Sequence, residues 1–361
     1  MNLFPSLRKR YTKDRLSAIE AQRAAQEIAF GPVVFQVSRL MIKWGIFELL
    51  SEHKDGLNAE AIASKKKLSL YAVHVLLESS LSIGSVLLQN DRFVLSKIGW
   101  FLLNDEMVRI NMNFNHDVNY KGMFRLEESL LNGKPEGLNV FGEWNTIYEG
   151  LSQLPSEVQQ SWFAFDHYYS DHSFDKALEI VFKNNPVSIL DVGGNTGRWA
   201  LKCVEYNKKA EVTVMDLPGQ LETMQKQIAG RAEADRIHIF SGNVLDEKTV
   251  FPGGFDVVWM SQFLDCFSEG EIISILSRIF EAVGSNSVLY VMETFWDRQK
   301  YETAAYCLTQ ISPYFTALAN GNSKMYHSDR MINCIKTAGF VITEIYDDLG
   351  LGHSLLECRI S

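Results

Sequence analysis

The sequence predicts a mostly parallel, doubly wound α/β domain that follows a smaller, mostly helical domain. Three observations indicate this. The 361 residues exceed what one hydrophobic core usually serves, and the composition, 46% hydrophobic and 22% charged, is that of globular domains. Apolar residues recur at helical spacing in the first half. Short runs rich in Val and Ile, separated by helical segments, begin near Pro186.

The first half of the chain has a helical pattern that ends in a hairpin. Apolar residues recur three and four positions apart in "AAQEIAFGPVVFQVSRLMIKWGIFELLSE" (24–52) and in "YAVHVLLESSLSIGSVL" (71–87). Between them, "GLNAEAIASKKKLS" (56–69) has the spacing of a helix-turn-helix. The stretch "VLLQNDRFVLSKIGWFLL" (86–103) predicts a β-hairpin with Asn90 and Asp91 at its turn. Helices followed by a hairpin are typical of a winged-helix domain.

A winged helix indicates either DNA recognition or a packing and dimerisation module. The formal net charge of −9 repels nucleic acid and anionic membranes, and the presumed recognition helix carries no basic run. We therefore favour the packing module and expect neither a nucleic-acid nor a membrane partner. No segment is long and apolar enough to span a bilayer, and no signal-peptide-type run follows "SLRKRYTKDR" (6–15). We expect a soluble, cytoplasmic protein.

The cysteines do not indicate a disulfide framework or a metal site. They are odd in number and none lies in a C-x-x-C pair, which is the usual signature of a thiolate zinc site. We expect buried, reduced thiols and no metal at Cys203, Cys266, Cys307, Cys334 and Cys358.

The second half predicts the sheet. Five apolar runs have the length and composition of strands buried on both faces by helices: "VSILDVGG", "AEVTVMDL", "RIHIFSGN", "FDVVWMSQ" and "SVLYVMET". Two further runs near the C-terminus, "FVITEIYDDL" and "HSLLECRIS", are joined only by "GLG". That link is too short for a parallel crossover, so the last strand is expected to insert antiparallel.

A glycine-rich loop follows the first strand of this sheet. The strand ends at Asp191-Val192, and Gly193, Gly194 and Gly197 precede a helix, where backbone N–H groups can approach a ligand. The spacing does not match a dinucleotide fingerprint, because positions 195 and 198 are Asn and Arg. An acid beside a pyrophosphate is also unfavourable. The loop suits a cofactor with a cationic amino-acid end.

The next two strand ends carry groups suited to a nucleoside. Asp216 ends the second strand, where a carboxylate can accept hydrogen bonds from both ribose hydroxyls. Asn243 follows the third strand and is placed to bind an adenine edge, with Val244 as an apolar cover. Suitable groups at successive strand ends predict a nucleoside-containing cofactor.

Four segments give the sequence a family resemblance: "LDVGGNTG" (190–197), "MDLP" (215–218), "AGF" (338–340) and "FDHYYSDHS" (165–173). The chain resembles, over nearly its whole length, the S-adenosylmethionine-dependent O-methyltransferases of the plant caffeate and the bacterial hydroxyneurosporene and acetylserotonin type. The resemblance implies a Rossmann-like sheet, S-adenosylmethionine as cofactor, S-adenosylhomocysteine as product, and a homodimer formed through the winged-helix domain. It also implies methyl transfer to a hydroxyl of a small, hydrophobic aromatic or polyene metabolite.

The resemblance further implies domain boundaries and site residues. We expect a dimerisation domain at 1–110, a helical linker that contributes to the substrate pocket at 111–180, and a methyltransferase domain at 181–361. Two departures from the family are that Asn243 replaces an Asp and Ser261 replaces a Lys. The implied substrate residues are Phe165, Tyr169 and Gln262, and the implied cofactor residues are Ser173, Asp191, Gly193, Gly194, Asn195, Gly197, Asp216, Leu217, Asn243, Val244 and Ser261.

The stretch "MSQFLDCFSEGE" (260–271) ends the fourth strand, where the family carries its catalytic histidine. The resemblance places Asp265 at the histidine position. Of the two acids that flank this histidine in plant members, Glu293 is retained, whereas the second position holds Met325. We expect Asp265 with Glu293 to orient or deprotonate the acceptor hydroxyl. Ser268 with Glu271 forms a capping box for the following helix, which leaves Asp265 available to the pocket.

Proton transfer from a phenol to a carboxylate is unfavourable in free energy. A phenol with a pKa near ~10 and an ordinary Asp near ~4 differ by about six units, roughly 8 kcal/mol. Burial beside Glu293 is expected to raise one carboxyl pKa, because neighbouring carboxylates resist ionising together. His327, just before the last helix, is a second candidate base, and His167 and His172 are further imidazoles in the region.

Two alternatives remain open from the sequence. Because Asp265 replaces the family's histidine, the first alternative is a protein that binds the same cofactor but catalyses decarboxylation or hydroxylation instead of methylation. Because residues 56–69 have the spacing of a helix-turn-helix, the second alternative is a winged-helix regulator that senses a ligand.

Overall fold

The structure is a computed structural model that describes residues 3–360. The chain forms two compact units. The smaller comprises Asp14–His116, and the larger comprises Asp117 onwards together with the N-terminal segment up to Lys13. The predicted three-part division at residues 110 and 180 stays a prediction.

Helices and one hairpin make up the smaller unit. After α1 (Pro5–Tyr11), which belongs to the larger unit, its elements are α2 (Ala18–Ala29), α3 (Gly31–Lys43), α4 (Ile46–Glu52), α5 (Ala59–Lys66), α6 (Leu70–Ser82), β1 (Val86–Gln89), β2 (Arg92–Leu95), α7 (Lys97–Asn104) and α8 (Glu106–Phe114). The antiparallel β1–β2 pair turns at Asn90 and Asp91, whose φ angles of 48° and 58° are those of a tight hairpin turn. The predicted helix-and-hairpin pattern is confirmed.

The larger unit contains a seven-stranded sheet in the order β5-β4-β3-β6-β7-β9-β8. Its strands are β3 (Ser188–Val192), β4 (Glu211–Asp216), β5 (Ile237–Ser241), β6 (Val257–Ser261), β7 (Val288–Glu293), β8 (Phe340–Leu349) and β9 (His353–Ile360). The first five strands are parallel, whereas β9 inserts antiparallel between β7 and β8. Both the mostly parallel sheet and the antiparallel last strand are confirmed.

The helices of the larger unit after α1 pack on this sheet or on one another. They are α9 (Tyr120–Gly122), α10 (Leu126–Asn132), α11 (Ile147–Gly150), α12 (Ser156–Asp171), α13 (Phe174–Val181), α14 (Arg198–Tyr206), α15 (Pro218–Ile228), α16 (Glu269–Ala282), α17 (Glu302–Tyr314) and α18 (Ser328–Thr337). Shorter turns are 3-10 helical at Met123–Arg125, Glu136–Val140, Leu151–Gln153, Phe182–Asn184, Ala234–Arg236, Leu264–Cys266 and Trp296–Arg298, and π-helical at Asn115–Asn119 and Phe315–Ala319.

The sheet is buried on both faces. Along β6, Trp259 belongs to one hydrophobic core, whereas Val258 and Met260 belong to the other. This alternation follows from the two-residue repeat of a strand. On the first face Trp259 stacks on Trp199 of α14, with ring centroids 4.0 Å apart. The cores on the two faces account for the continuous apolar runs of the sequence.

The predicted capping box is confirmed. Ser268 Oγ accepts a hydrogen bond from the Glu271 N–H, and Glu271 accepts one from the Ser268 N–H at 2.8 Å. The helix α16 therefore begins directly after the segment that carries Asp265. All five cysteines are free thiols; Cys203, Cys334 and Cys358 are buried as expected, whereas the expectation of burial was wrong for Cys266 and Cys307, which are partly exposed. Among the described residues, no helix is long and apolar enough to cross a membrane.

Candidate active site

The predicted site residues collect at one edge of the larger unit's sheet. Asp191 and Asp216 lie at or next to the last residues of β3 and β4, Ser261 ends β6, and Glu293 ends β7. Because these strands are parallel, their carboxyl ends lie side by side. This is the edge at which open α/β sheets bind ligands.

The glycine loop after β3 leaves no room for a side chain at Gly193 or at Gly194. Gly193 has a φ of +75°, and a Cβ built there would lie 2.1 Å from the Phe263 ring. A Cβ on Gly194 would lie 2.6 Å from Asp191 Oδ2. The Gly193 N–H donates to the Met215 carbonyl oxygen at 2.8 Å, which fixes the loop to β4. The loop therefore requires glycine at both positions, and it touches the segment that follows β6.

Asp191 is a buried acid whose charge no described residue compensates. Its Oδ2 has no hydrogen-bond partner among residues 3–360. Burial, followed by the charge of Asp216, raises the pKa of Asp191 to about 8. A cationic group in contact with Oδ2 would favour the ionised form. Asp191 is thus suited to the ammonium of an amino-acid ligand.

Asp216 is held in place by two backbone N–H groups. Leu217 donates to Oδ1 at 2.7 Å, and Asn195 of the glycine loop donates to Oδ2 at 2.9 Å. Each oxygen keeps a lone pair for a further donor. Burial raises the pKa of Asp216 to about 6, against these two hydrogen bonds. The arrangement fits a ribose with two adjacent hydroxyls.

The loop after β5 carries the predicted adenine contacts. The side-chain oxygen of Asn243 accepts a hydrogen bond from the Leu245 N–H at 2.9 Å, so the amide NH₂ is the group left to meet a base. Val244 is buried in the second core of the sheet. Arg278 of α16 donates to the carbonyl oxygens of Val244, Asp246 and Thr249 and so fixes this loop.

Three predicted residues lie near the end of β6 or after the end of α12. Ser261 Oγ is buried without a hydrogen-bond partner among the described residues. Gln262 has a φ of 46°, and its Oε1 lies 3.2 Å from Nε2 of the buried His353. Ser173 Oγ donates to the Ser170 carbonyl oxygen at 2.6 Å. The roles of these residues toward a ligand stay predictions.

Asp265 and Glu293 form a pair of buried carboxyls that interact through their charges. Glu293 Oε1 accepts hydrogen bonds from the N–H groups of Phe263 at 3.1 Å and Leu264 at 2.8 Å. Its Oε2 is buried and has no hydrogen-bond partner within the part of the chain that the structure describes. Glu293 therefore holds the segment on which Asp265 sits, and it keeps one oxygen available. Glu293 and Asp265 are 1% and 5% exposed, so both carboxyls are removed from water.

Burial determines the titration of this pair. It raises the pKa of Asp265 to about 7, against a hydrogen bond from the Cys266 thiol, while the carboxyl of Asp166 raises it further. Burial and then the charge of Asp265 hold the pKa of Glu293 well above its usual range. The two neighbouring carboxyls therefore resist ionising together, and the pair holds protons to a higher pH than an ordinary Asp or Glu does.

Sequence reasoning missed one acid of the site. Asp166 lies on α12, and its Oδ2 accepts a hydrogen bond from Asn195 Nδ2 at 3.1 Å. Burial raises the pKa of Asp166 to about 7, although part of the residue is exposed. The signal was present in "WFAFDHYY" (162–169), where one acid stands within an aromatic run.

The implied aromatic substrate residues pack together on the same helix. The rings of Phe165 and Tyr169 are 4.9 Å apart, and Tyr168 packs edge-on against Tyr169. His167 Nε2 lies 3.2 Å from Thr196 Oγ1, and burial lowers the pKa of this histidine to about 4. The contact of these rings with an acceptor stays a prediction.

His327 is placed at a helix N-terminus. Its Nδ1 accepts a hydrogen bond from the Asp329 N–H at 3.1 Å, and its Nε2 lies 3.6 Å from Asp297 Oδ2. Asn is among the best N-cap residues. We expect His327→Asn to keep the helix cap and most of the methyl-transfer activity, whereas His327→Ala should lose about 1 kcal/mol of stability.

Steady-state kcat and the thermal unfolding temperature, measured for both variants, test these two expectations. A large loss of kcat in His327→Asn at unchanged stability would instead identify His327 as the second base. That role, proposed from the sequence, stays a prediction.

Two family models match the chain. A Dimerisation2-like domain matches residues 22–93, and an O-methyltransferase domain matches residues 156–341, which is more than half of the chain. The chain belongs to the O-methyltransferase domain family. The resemblance inferred from the sequence motifs is thereby confirmed.

Individual relatives of this methyltransferase agree with the family match. L-tyrosine C(3)-methyltransferase of Streptomyces lavendulae is 23% identical over 317 residues, which cover 87% of this chain and 85% of the relative. The apo structure of the S-adenosylmethionine-dependent methyltransferase SibL has a TM-score of 0.69 at 23% identity, covering 93% of this chain and 98% of that one. Human N-acetylserotonin methyltransferase in complex with S-adenosylmethionine has a TM-score of 0.63 at 18% identity, covering 97% and 99%.

These solved structures show the fold, and the family shows the class of enzyme. The predicted Rossmann-like fold, the S-adenosylmethionine-dependent methyltransferase activity and the cofactor are confirmed. The two alternatives, a non-methylating relative and a winged-helix regulator, are not favoured.

Proposed function

We propose that this methyltransferase acts on a hydroxyl of a small hydrophobic aromatic metabolite and that Asp265 is its base. The observation that carries the proposal is the buried pair of carboxyls at the end of β6 and β7, where Glu293 holds the backbone of the segment and Asp265, with its pKa of about 7, exchanges a proton near neutral pH. The remaining strand ends supply the cofactor site.

The residues at the strand ends fit S-adenosylmethionine. Asp191 offers a buried oxygen to the ammonium of the methionine end, and Asp216 offers two oxygens to the ribose hydroxyls. The loop between these acids requires Gly193 and Gly194, since a Cβ at either would collide with the Phe263 ring or with Asp191 Oδ2. When bound, the cofactor supplies an activated methyl group with its own leaving group, so the protein must mainly align the acceptor and remove its proton.

The raised pKa of Asp265 lowers the free energy needed to transfer a proton from the acceptor phenol to this carboxylate. With a pKa of about 7, the carboxylate lies about three units below a phenol near ~10, so proton transfer is uphill by about 4 kcal/mol. An ordinary Asp would face roughly twice that. Burial and the neighbouring charge raise the pKa of Glu293, and in its protonated form this carboxyl offers an O–H donor that can orient the acceptor oxygen.

Methyl transfer from methyl-labelled S-adenosylmethionine to a panel of phenols, catechols and hydroxynaphthoates tests the proposal. We expect labelled methyl ethers from at least one acidic phenol. Tight binding of S-adenosylhomocysteine with no transfer to any panel member would count against the proposed acceptor class. Failure to bind the cofactor product would contradict the assigned cofactor site.

Carbon methylation next to a phenolic hydroxyl is a second candidate. The relative named L-tyrosine C(3)-methyltransferase motivates it. Removing the phenol proton also activates the adjacent ring carbon, so the same Asp265 would serve both reactions. Nuclear magnetic resonance of the labelled product separates the two, because a methyl ether and a ring-bound methyl have distinct carbon shifts.

We also propose a homodimer, in the cytoplasm, formed through the smaller unit. The family match over residues 22–93 is to a dimerisation domain. In α2 no residue is buried, and Ile19 and Ile28 are 79% and 81% exposed. Phe30 and Val33, which follow Ile28 in the chain, are also more than half exposed. A patch of exposed apolar side chains marks an interaction surface. We expect Ile19→Glu with Ile28→Glu to convert a dimer to a monomer in light-scattering measurements, and a monomeric unmodified protein would contradict the proposal.

A further inference from the structure

Arg278 of α16 holds the loop that follows β5 by its backbone. Its side chain donates hydrogen bonds to three carbonyl oxygens of that loop. Nη1 donates to the carbonyl oxygen of Asp246 at 3.1 Å and to that of Thr249 at 3.2 Å, whereas Nη2 donates to that of Val244. A guanidinium can span several carbonyl groups in this way because its N–H donors form a rigid planar fork.

The surroundings of the guanidinium keep it in place. Its Nε donates to the carbonyl oxygen of Ser274, one turn earlier on the same helix, at 3.4 Å. The guanidinium also lies over the ring of Phe251, 5.3 Å from the ring centroid, where a cation–π interaction is favourable. Phe251 is 3% exposed and belongs to the hydrophobic core that contains Val244 and the buried face of α16. The side chain of Arg278 therefore has a fixed position between α16 and the loop.

The loop depends on this arginine for its attachment. Among residues 3–360, every hydrogen bond that joins residues 243–250 to another part of the chain comes from Arg278. The other hydrogen bonds of the segment are local. For example, the Asp246 N–H donates to the Asn243 carbonyl oxygen at 3.1 Å, and the Thr249 N–H donates to the Asp246 carbonyl oxygen at 2.9 Å. These local bonds shape the loop, but they do not fix its place relative to the sheet.

The position of Asn243 follows from the supports on either side of it. Before it, the Gly242 N–H donates to the carbonyl oxygen of Asp216 at 3.1 Å, and after it, Arg278 holds the carbonyl group of Val244. The side-chain oxygen of Asn243 accepts from a backbone N–H, so the amide cannot turn over without losing that bond. Its NH₂ group therefore takes the direction that the backbone gives it.

We propose that Arg278 is a positioning residue that gives the cofactor site its selectivity for adenine. By fixing the loop, it holds the Asn243 NH₂ group where that group donates to a ring nitrogen of the base. Arg278 acts through the loop and is not itself a ligand of the cofactor. This inference rests on the proposed function, because it takes Asp216 and Asn243 as the residues that meet the nucleoside of S-adenosylmethionine.

The deaza analogues of S-adenosylhomocysteine test the inference, since each replaces one nitrogen of the adenine ring (N1, N3 or N7) by carbon. Calorimetry measures the affinity of the full chain for the parent compound and for each analogue, in the unmodified protein and in Arg278→Met. Methionine keeps an unbranched side chain but has no donor. The matched control is Arg330→Met, at an exposed arginine of α18.

We expect one deaza analogue to bind about tenfold more weakly than S-adenosylhomocysteine to the unmodified protein, because it lacks the acceptor for the Asn243 NH₂ group. Arg330→Met should keep this preference. Arg278→Met should bind that analogue and S-adenosylhomocysteine equally, through a loss of affinity for S-adenosylhomocysteine alone. Equal binding of all analogues to the unmodified protein, or a preference that persists in Arg278→Met, would overturn the inference.

Asn243→Ala distinguishes positioning from a general structural role. It should remove the same preference, and the addition of Arg278→Met should change the ratio of affinities no further, because both substitutions act on one contact. An arginine that only stabilised the fold would affect the parent compound and its analogues alike. A further change of the ratio in the double variant would therefore contradict the proposed role.

Arg278→Lys keeps the test valid if Arg278→Met does not fold. An ammonium presents its donors from a single nitrogen and cannot span the carbonyl groups that the guanidinium binds, so the preference should decrease here as well, and an unchanged preference would overturn the inference. The two proposals fail differently. A protein that binds S-adenosylhomocysteine without any preference among the analogues refutes only the role of Arg278, whereas one that binds none of these compounds refutes the proposed cofactor site.

Discussion

Replacing Asp265 by Asn is expected to lower kcat by about a thousandfold. The substitution keeps the shape of the side chain but removes the base, and a positioned general base contributes roughly 10²–10⁴-fold to a rate. The affinity for S-adenosylhomocysteine should stay within about twofold, because Asp191 and Asp216, the two acids assigned to the cofactor, belong to other strands. Steady-state methyl transfer and calorimetry provide the two measurements. Cys266→Ala, at the neighbouring position, is the control and should keep most of kcat.

The pH profile distinguishes a base from a residue that only shapes the pocket. With a pKa of about 7, the Asp265 carboxylate forms as the pH rises, so kcat/KM should increase through pH ~7 and then level off. Asp265→Asn should flatten this rise in whatever activity remains. A profile that is identical in shape in both proteins would refute the role of Asp265 as base.

As the pH rises, ionisation of Asp265 should increase activity but decrease the stability of the fold. The pKa of Asp265 is higher in the folded state than the ordinary value of 3.8, so between these two values the folded protein binds more protons than the unfolded chain. The contribution of this residue to the free energy of unfolding is therefore fully present below pH ~4 and is lost as the pH rises through about 7. At pH 8 the buried carboxylate therefore destabilises the fold. Asp265→Asn should unfold at a higher temperature than the unmodified protein at pH 8, and this advantage should disappear near pH 4.

Replacing Gly193 by Ala is expected to weaken S-adenosylhomocysteine binding at least a hundredfold, on the order of 3 kcal/mol. The added Cβ would lie 2.1 Å from the Phe263 ring, and the φ of +75° is unfavourable for any residue with a Cβ. Either the glycine loop or the segment after β6 must move, and both carry parts of the site. Calorimetric titration with the cofactor product measures the effect.

Gly230→Ala is the matched control for this substitution. Gly230 has a φ of +81°, but no described heavy atom lies within 4 Å of the position that an alanine methyl group would occupy. The variant therefore carries the same backbone strain without the collision, and it should lose about 1 kcal/mol of stability while binding the ligand normally. Equal losses of binding in both variants would show that strain, rather than the contact with Phe263, is responsible.

The fold was predictable from local patterns, because each element depends on residues that are close in sequence. The strand runs, the Asn90-Asp91 turn and the Ser268–Glu271 box are all of this kind, and the structure confirms them. That the residues predicted for the cofactor share one edge of the sheet was predictable for a related reason. In a parallel sheet, the order of the strands fixes which ends lie side by side.

The contacts that tune the chemistry were not predictable, because they join residues distant in the chain. The hydrogen bonds from Phe263 and Leu264 to Glu293 cross between two strands, and Asp166 reaches Asn195 from a helix outside the sheet. The pKa of Asp265 depends on these surroundings, since burial is what raises it. The position of His327 just before a helix was visible in the sequence, whereas the approach of its Nε2 to Asp297 Oδ2, at 3.6 Å, was not.

The hold of Glu293 on the Asp265 segment also bears on how the enzyme can be altered. The backbone there is fixed on one side by hydrogen bonds to Glu293 and on the other by the capping box of Ser268, neither of which involves the side chain at position 265. Exchange of this one group therefore removes neither of these two supports. Laboratory evolution at position 265 can vary the proton acceptor, histidine included, while the architecture that presents it persists.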